Sequence, residues 1–130
     1  MPPRLTRVLE TVLYYRAGER EAVERFYGEV LALRRVGDFP VYRLGEGLVL
    51  LFDAEETRIQ DDPPPHGARG PVHTCFVSEP DEYEAWKARL AAHGVRVTRE
   101  IVWPSGVRSF YFDDPAGNVL EIADGDLWPR

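Results

Sequence analysis

Three side chains able to hold a metal ion or a proton stand where an apolar residue would ordinarily sit. Glu10 interrupts the run Val8-Leu9-Glu10-Thr11-Val12-Leu13-Tyr14-Tyr15, His73 opens Val72 to Ser78, and Glu121 lies in Val119-Leu120-Glu121-Ile122-Ala123. Each run has the β-branched and aromatic content of a strand. Alternation then puts Glu10 on a face with Val12 and Tyr14, His73 with Cys75 and Val77, and Glu121 with Val119 and Ala123. One imidazole nitrogen and two carboxylate oxygens make a donor set that suits a divalent cation and leaves positions open for water or substrate. A carboxylate facing a cavity needs a metal, a histidine proton or water beside it, because an unpartnered buried charge is costly. A metal-free Glu-His-Glu cluster meets the same requirement.

The elements that must position these residues follow from the pattern along the chain. After the first strand, Ala22, Val23, Phe26, Tyr27, Val30 and Leu31 recur at helical spacing, predicting a helix from about Glu19 to Leu33 with Glu19 and Glu21 in its first turn. Short strands are expected over Arg34 to Val36, Pro40 to Leu44 and Leu48 to Asp53. Ala54 to Gly70 reads as a linker, charged and carrying Pro63-Pro64-Pro65, whose prolines favour extended geometry. A second strand, Val72 to Ser78, precedes a helix opened by Pro80 and stopped by Gly94, where His93 caps the dipole. Strands over Val95 to Val102 and Val107 to Asp113 then lead to a hairpin. Its turn, Asp113-Asp114-Pro115-Ala116-Gly117-Asn118, combines an Asx-forming residue, a proline and two types that tolerate positive φ.

The halves repeat one another: strand, helix, three strands. Glu10-Thr11-Val12-Leu13 stands opposite His73-Thr74-Cys75-Phe76, and Gly47 to Phe52 opposite Asn118 to Ala123. Such self-similarity means two equivalent modules. It places module one at 6–53, the linker at 54–70, module two at 71–124 and a tail at 125–130, within a single domain spanning 1–130. Glu10 then falls in the slot of His73, and Leu50 in the slot of Glu121. Three of these four related positions carry a metal-competent side chain.

These residues resemble the vicinal oxygen chelate superfamily, which includes glyoxalase I, extradiol dioxygenases, and fosfomycin- and bleomycin-resistance proteins. The likeness is carried by Arg25-Phe26-Tyr27-Gly28-Glu29-Val30-Leu31, by Gly70-Pro71-Val72-His73-Thr74, and most specifically by Tyr111 to Glu121. The resemblance implies an α+β fold in which paired βαβββ modules form an open curved mixed-sheet barrel. It also implies ligand slots at Glu10, Leu50, His73 and Glu121. Glu10 stands where histidine or glutamine is usual in glyoxalases, and Leu50 where glutamate is usual. Extradiol dioxygenases use two histidines and one carboxylate, so this set fits them less well. What the resemblance leaves is one divalent ion (manganese, iron, nickel or zinc) on Glu10, His73 and Glu121, with Glu121 or Glu10 as general base. His66, in the linker, is a further donor. Tyr14, Cys75, Leu50, Trp103, Arg108, Phe110 and Phe112 are the expected pocket residues, suiting a flat or hydrophobic small molecule, with Arg108 as an anion anchor.

Composition narrows the partners. A chain of 130 residues with 44% hydrophobic content suits a real core. A net charge of -6 argues against nucleic acid and anionic membrane, which bind through excess Lys and Arg. No run is long enough for a membrane helix, the start MPPRLTR lacks a signal-type apolar core, and the single cysteine forms no intrachain disulfide, so a cytoplasmic protein is expected. Open sheet edges and the long linker favour a homodimer. Two functions follow: a metal-dependent lyase or isomerase acting on vicinal oxygens, or a metal-free protein that sequesters a small molecule.

Overall fold

The computed structural model describes residues 1–68 and 70–129. The chain forms two compact units, Met1–Gly67 and Ala68–Arg130, each built on a four-stranded mixed sheet. In the first, β1 (Glu10–Tyr15), β2 (Arg34–Arg35), β3 (Val41–Leu44) and β4 (Gly47–Asp53) lie in the order β1-β4-β3-β2. In the second, β5 (His73–Val77), β6 (Arg99–Val102), β7 (Arg108–Asp113) and β8 (Val119–Ala123) lie in the order β5-β8-β7-β6. The first strand of each unit runs parallel to its last, and the other neighbours are antiparallel. Neither sheet closes on itself.

Registers reproduce the repeat residue by residue. Glu10 pairs with Leu48 and Val12 with Leu50; in the second unit His73 pairs with Val119 and Cys75 with Glu121. Glu10 and His73 are therefore equivalent, as are Leu50 and Glu121. One face of each sheet is covered by its helix. Leu13, Val23, Tyr27, Tyr42 and Leu51 form the core of the first unit, and Tyr83, Leu90, Phe110, Phe112 and Leu120 that of the second, all 1% exposed or less. Burying each large apolar side chain contributes about 1.5–3 kcal/mol. The polar donors stand on the opposite face.

Three local features depart from the expected pattern. The first helix is α only over α1 (Arg20–Arg25) and widens into a π-turn, Phe26–Val30, closed by Leu31 N–H to Phe26 O at 3.0 Å. Gly28 within it has little α preference, and the wider turn buries Phe26, Tyr27 and Val30 together. The linker begins with a short helix, α2 (Ala54–Thr57), capped by the Asp53 side chain accepting from Glu55 N–H, and it packs with the first unit up to Gly67. The second helix begins as a 3-10 turn at Pro80–Glu82 and continues as α3 (Tyr83–Ala92). Val95 N–H returns to Leu90 O to close α3, so β6 starts only at Arg99.

Candidate functional site

The hairpin that carries Glu121 is fixed by its turn. Asp114 is 5% exposed; its Oδ1 accepts from the N–H of Ala116 and of Asn118, and its Oδ2 accepts from Asn118 Nδ2 at 2.8 Å. Gly117 takes φ +84, whereas Asn118 serves through its buried amide instead. Asp113 is thereby paired with Val119, and counting back sets Tyr111 opposite Glu121 and Ser109 opposite Ala123. On the other side of β8, Cys75 is the partner of Glu121. Glu121 thus occupies an interior strand, flanked by Cys75 and Tyr111 on one sheet face.

Its carboxylate is 2% exposed. Oε1 lies 3.2 Å from His73 Nε2, and Oε2 is buried with no well-formed hydrogen bond among the described residues, although Cys75 and Tyr111 both interact with the carboxylate. His73 Nδ1 lies 2.9 Å from Val119 O. A carbonyl oxygen only accepts, so Nδ1 carries a proton. Nε2 then either carries a second proton and donates to Glu121, or presents its lone pair beside the carboxylate oxygen. The second arrangement is repulsive unless a proton on the carboxyl or a shared metal ion lies between the two atoms. An orienting bond from the far nitrogen of a histidine to a backbone carbonyl is the arrangement that prepares a metal ligand. The 3.2 Å separation also lets both atoms ligate one ion, given Zn–N and Zn–O bonds of about 2.0–2.2 Å. The donors therefore fit a divalent metal, and the orphaned Oε2 is the observation that favours one.

The surroundings of this pair are aromatic. The Tyr111 ring stacks against His73 at 5.9 Å between centroids, 25° from parallel. Trp103 Nε1 donates to Ser109 Oγ at 2.9 Å, on the same face by register. Burial, then the Glu121 carboxylate, raises the Tyr111 phenol above its ordinary range. Cys75 is exposed as a residue, yet desolvation of the thiol, followed by the Glu121 charge, pushes it up to about 12. It lines the site as a neutral thiol, not a nucleophile.

The structure brings His73, Glu121, Cys75 and Trp103 onto one face of the second sheet, together with Tyr111 and Ser109. Phe110 and Phe112 have the opposite parity. They are fully buried on the helix side, where Phe110 meets Tyr83 edge-on at 5.2 Å. Arg108 shares that parity: its guanidinium lies 4.2 Å over the Tyr83 ring and is paired with Asp124 at 2.8 Å and Glu84 at 3.2 Å. Packing on Tyr83 and ion pairing with Asp124 and Glu84 hold it there. Tyr111 and Ser109 were missing from the sequence reading, although the turn length that fixes the hairpin register would have located them.

Glu10, Tyr14 and Leu50 belong to the first unit. They share the face equivalent to that of His73 and Glu121, with Glu10 exposed at one end, Leu50 7% exposed in the middle and Tyr14 at the other end. His66 joins them there, bonded to Tyr14. Among the described residues, no group of three or more His, Cys, Asp or Glu side chains is assembled to hold a metal; the donors in contact are His73 and Glu121. No helix among the described residues is long and apolar enough to cross a membrane.

Comparison with known proteins concerns the family and the fold. Residues 9–122 match the family model described as Glyoxalase/Bleomycin resistance protein/Dioxygenase superfamily. A crystal structure of lactoylglutathione lyase from Agrobacterium tumefaciens is 37% identical, with 98% of each chain covered and a TM-score of 0.87. A glyoxalase/bleomycin resistance protein/dioxygenase from Nocardioides is 22% identical, covering 100% of this chain and 92% of its own, with a TM-score of 0.74. The oxidase ChaP-H2 is 20% identical over 95% and 96% of the two chains, with a TM-score of 0.66. The last two likenesses concern the fold alone. No curated protein matches the chain.

Proposed function

Because the chain belongs to the glyoxalase/bleomycin resistance protein/dioxygenase superfamily, we propose that it is a small divalent-metal-dependent lyase or isomerase acting on a substrate with vicinal oxygens. The observation that carries this reading is the His73–Glu121 pair, with its orphaned buried oxygen and its imidazole oriented by Val119 O. The 37% identity to a lactoylglutathione lyase supports the reaction class. His73 Nε2 and Glu121 would hold the ion, and Glu10 is the further carboxylate of the donor set. A divalent ion there supplies Lewis-acid stabilisation of two adjacent substrate oxygens.

The chain's own residues have separate tasks. Val119 O fixes the imidazole so that Nε2 alone faces the ligand position. Glu121 would act as the general base that accepts a proton from a substrate carbon. Tyr111 walls the site and limits water beside the imidazole. The chain works as a homodimer in this reading, and a monomer by light scattering at micromolar concentration would count against that part.

Leu50 favours a second reading. An apolar side chain occupies the slot equivalent to Glu121, so the first unit contributes no second carboxylate there. That composition suits a metal-free protein that sequesters a small molecule, as in drug resistance. The deciding assay is turnover of thiol adducts of 2-oxoaldehydes and of α-hydroxycarbonyl compounds, with the protein supplied with manganese, nickel, zinc or ferrous iron. Turnover that falls at least a hundredfold in Glu121→Gln supports the enzyme. Absence of turnover with every metal, together with binding of an aromatic compound, supports sequestration.

A further inference from the structure

Residues 1–9 precede β1 as an arm without regular secondary structure. Its end is anchored. Leu48 N–H donates to Leu9 O at 2.9 Å, the Arg7 guanidinium donates to Glu46 O, and a Cβ on Gly47 would lie 3.4 Å from Leu9 O. Ahead of that anchor the arm stands in water, with Leu5 102% exposed and Val8 77% exposed. Pro2-Pro3 favours extended polyproline geometry, in which residues three apart share a side. Pro2, Leu5 and Val8 then form an apolar side, and Arg4 and Arg7 a cationic one. No carboxylate lies within residues 1–9, although the chain as a whole carries a net charge of -6.

The first unit carries a surface complementary to both sides of the arm. Ile59, just past α2, is 84% exposed, and Glu56, Asp61 and Asp62 around it are exposed carboxylates. This surface lies at the far end of the sheet. Leu9 precedes the Glu10–Leu48 pair at the start of β4, whereas α2 leaves β4 at Asp53. The run of β4 from Gly47 to Asp53 spans about 20 Å at roughly 3.4 Å per residue, while the chain from Leu9 to Leu5 reaches at most about 14 Å. Leu5 therefore cannot dock beside Ile59 within its own chain. A second copy can supply the surface: a twofold pairing that sets two first units antiparallel brings each arm to the other's far end, and the two equal contacts close.

We propose that the arm is a strap exchanged between two copies of this chain. Leu5 and Val8 of one copy cover Ile59 of the other, and Arg4 meets the carboxylates of Glu56, Asp61 and Asp62 there. The proposal rests on the dimeric reading of the chain and names what joins the copies.

The test is disulfide trapping of the full chain in a Cys75→Ser background. A chain carrying both Leu5→Cys and Ile59→Cys, mildly oxidised at micromolar concentration, should run as a covalent dimer on a non-reducing gel. An equimolar mixture of the two single variants should give the same cross-link. By light scattering, Arg4→Glu combined with Leu5→Asp, at positions outside the folded core, should weaken the dimer by about tenfold or more with an unchanged far-ultraviolet spectrum. Asp61→Arg with Asp62→Arg should restore part of the affinity lost in Arg4→Glu. A parent that is monomeric would overturn the strap and the dimeric reading together. A parent dimer that Arg4→Glu with Leu5→Asp leaves equally tight, or a double-cysteine chain that closes on itself, would overturn the strap and leave the dimer standing.

Discussion

Replacing Glu121 by leucine in metal-free protein should raise its stability, against the usual sign for a change at a packed strand position. Glu121 is 2% exposed, Oε2 makes no well-formed hydrogen bond among the described residues, and Oε1 lies 3.2 Å from His73 Nε2. A buried acceptor left unpaired costs about 1–3 kcal/mol. Losing the pair with His73 costs about 0–1 kcal/mol, because the imidazole side chain is 49% exposed and regains water. Leucine is close to glutamate in size, and Leu50 already occupies the equivalent slot of the first unit, so the site accommodates it. The balance is a gain of about 1–2 kcal/mol. At about 2–8 °C per kcal/mol for domains of this size range, the melting temperature should rise by roughly 3–10 °C. Thermal and urea unfolding in chelator-treated buffer measure it. A Glu121→Leu protein less stable than the parent under those conditions would refute the reasoning that this carboxylate is held at a cost for function.

Other expectations follow from particular contacts. Asp114→Ala removes three acceptor contacts in the buried hairpin turn, from Ala116 N–H, Asn118 N–H and Asn118 Nδ2, and should cost about 2–4 kcal/mol in urea unfolding. The carboxyls of Glu24, beside Arg20, and Glu100, beside Lys87 and Tyr83, are held below their ordinary range. A carboxyl lowered on folding stabilises above its unfolded pKa and loses that contribution as pH falls through the folded value. Unfolding experiments should therefore show stability flat from about pH 7 to 5 and declining below about pH 4.5. Cys75, its thiol pushed up to about 12, should react with iodoacetamide at pH 8 far more slowly than free cysteine, and a rate equal to that of the free thiol would contradict its placement beside Glu121.

The modular repeat was legible because strands alternate with period 2 and because Asp114 and Gly117 leave the hairpin few geometries. Those two facts align Glu10 with His73 and Leu50 with Glu121 from the sequence alone. The π-turn at Phe26–Val30 was not legible, because its apolar spacing is also that of an α-helix. The register Asp113 to Val119 sends Phe110, Phe112 and Arg108, the even-numbered residues of β7, to the helix side and away from the face of Glu121, where Tyr83 receives Phe110 and Arg108 and Phe112 packs on Phe110. His66 looked like a donor in a loose linker. Its place against Tyr14 depends on Gly67 and on closure at Thr57, a tertiary arrangement with no periodic signature. The bond from His73 to Val119 O likewise arises from pairing between distant strands, and composition carries no trace of it.

Metal binding by the purified chain tests the central claim most directly. Calorimetric titration of chelator-treated protein with nickel, zinc, manganese and ferrous iron should give about one tightly bound ion per chain for at least one metal, with binding abolished in both His73→Ala and Glu121→Leu. A parent protein that binds none of the four, or that binds one equally well without His73 and Glu121, would contradict the account.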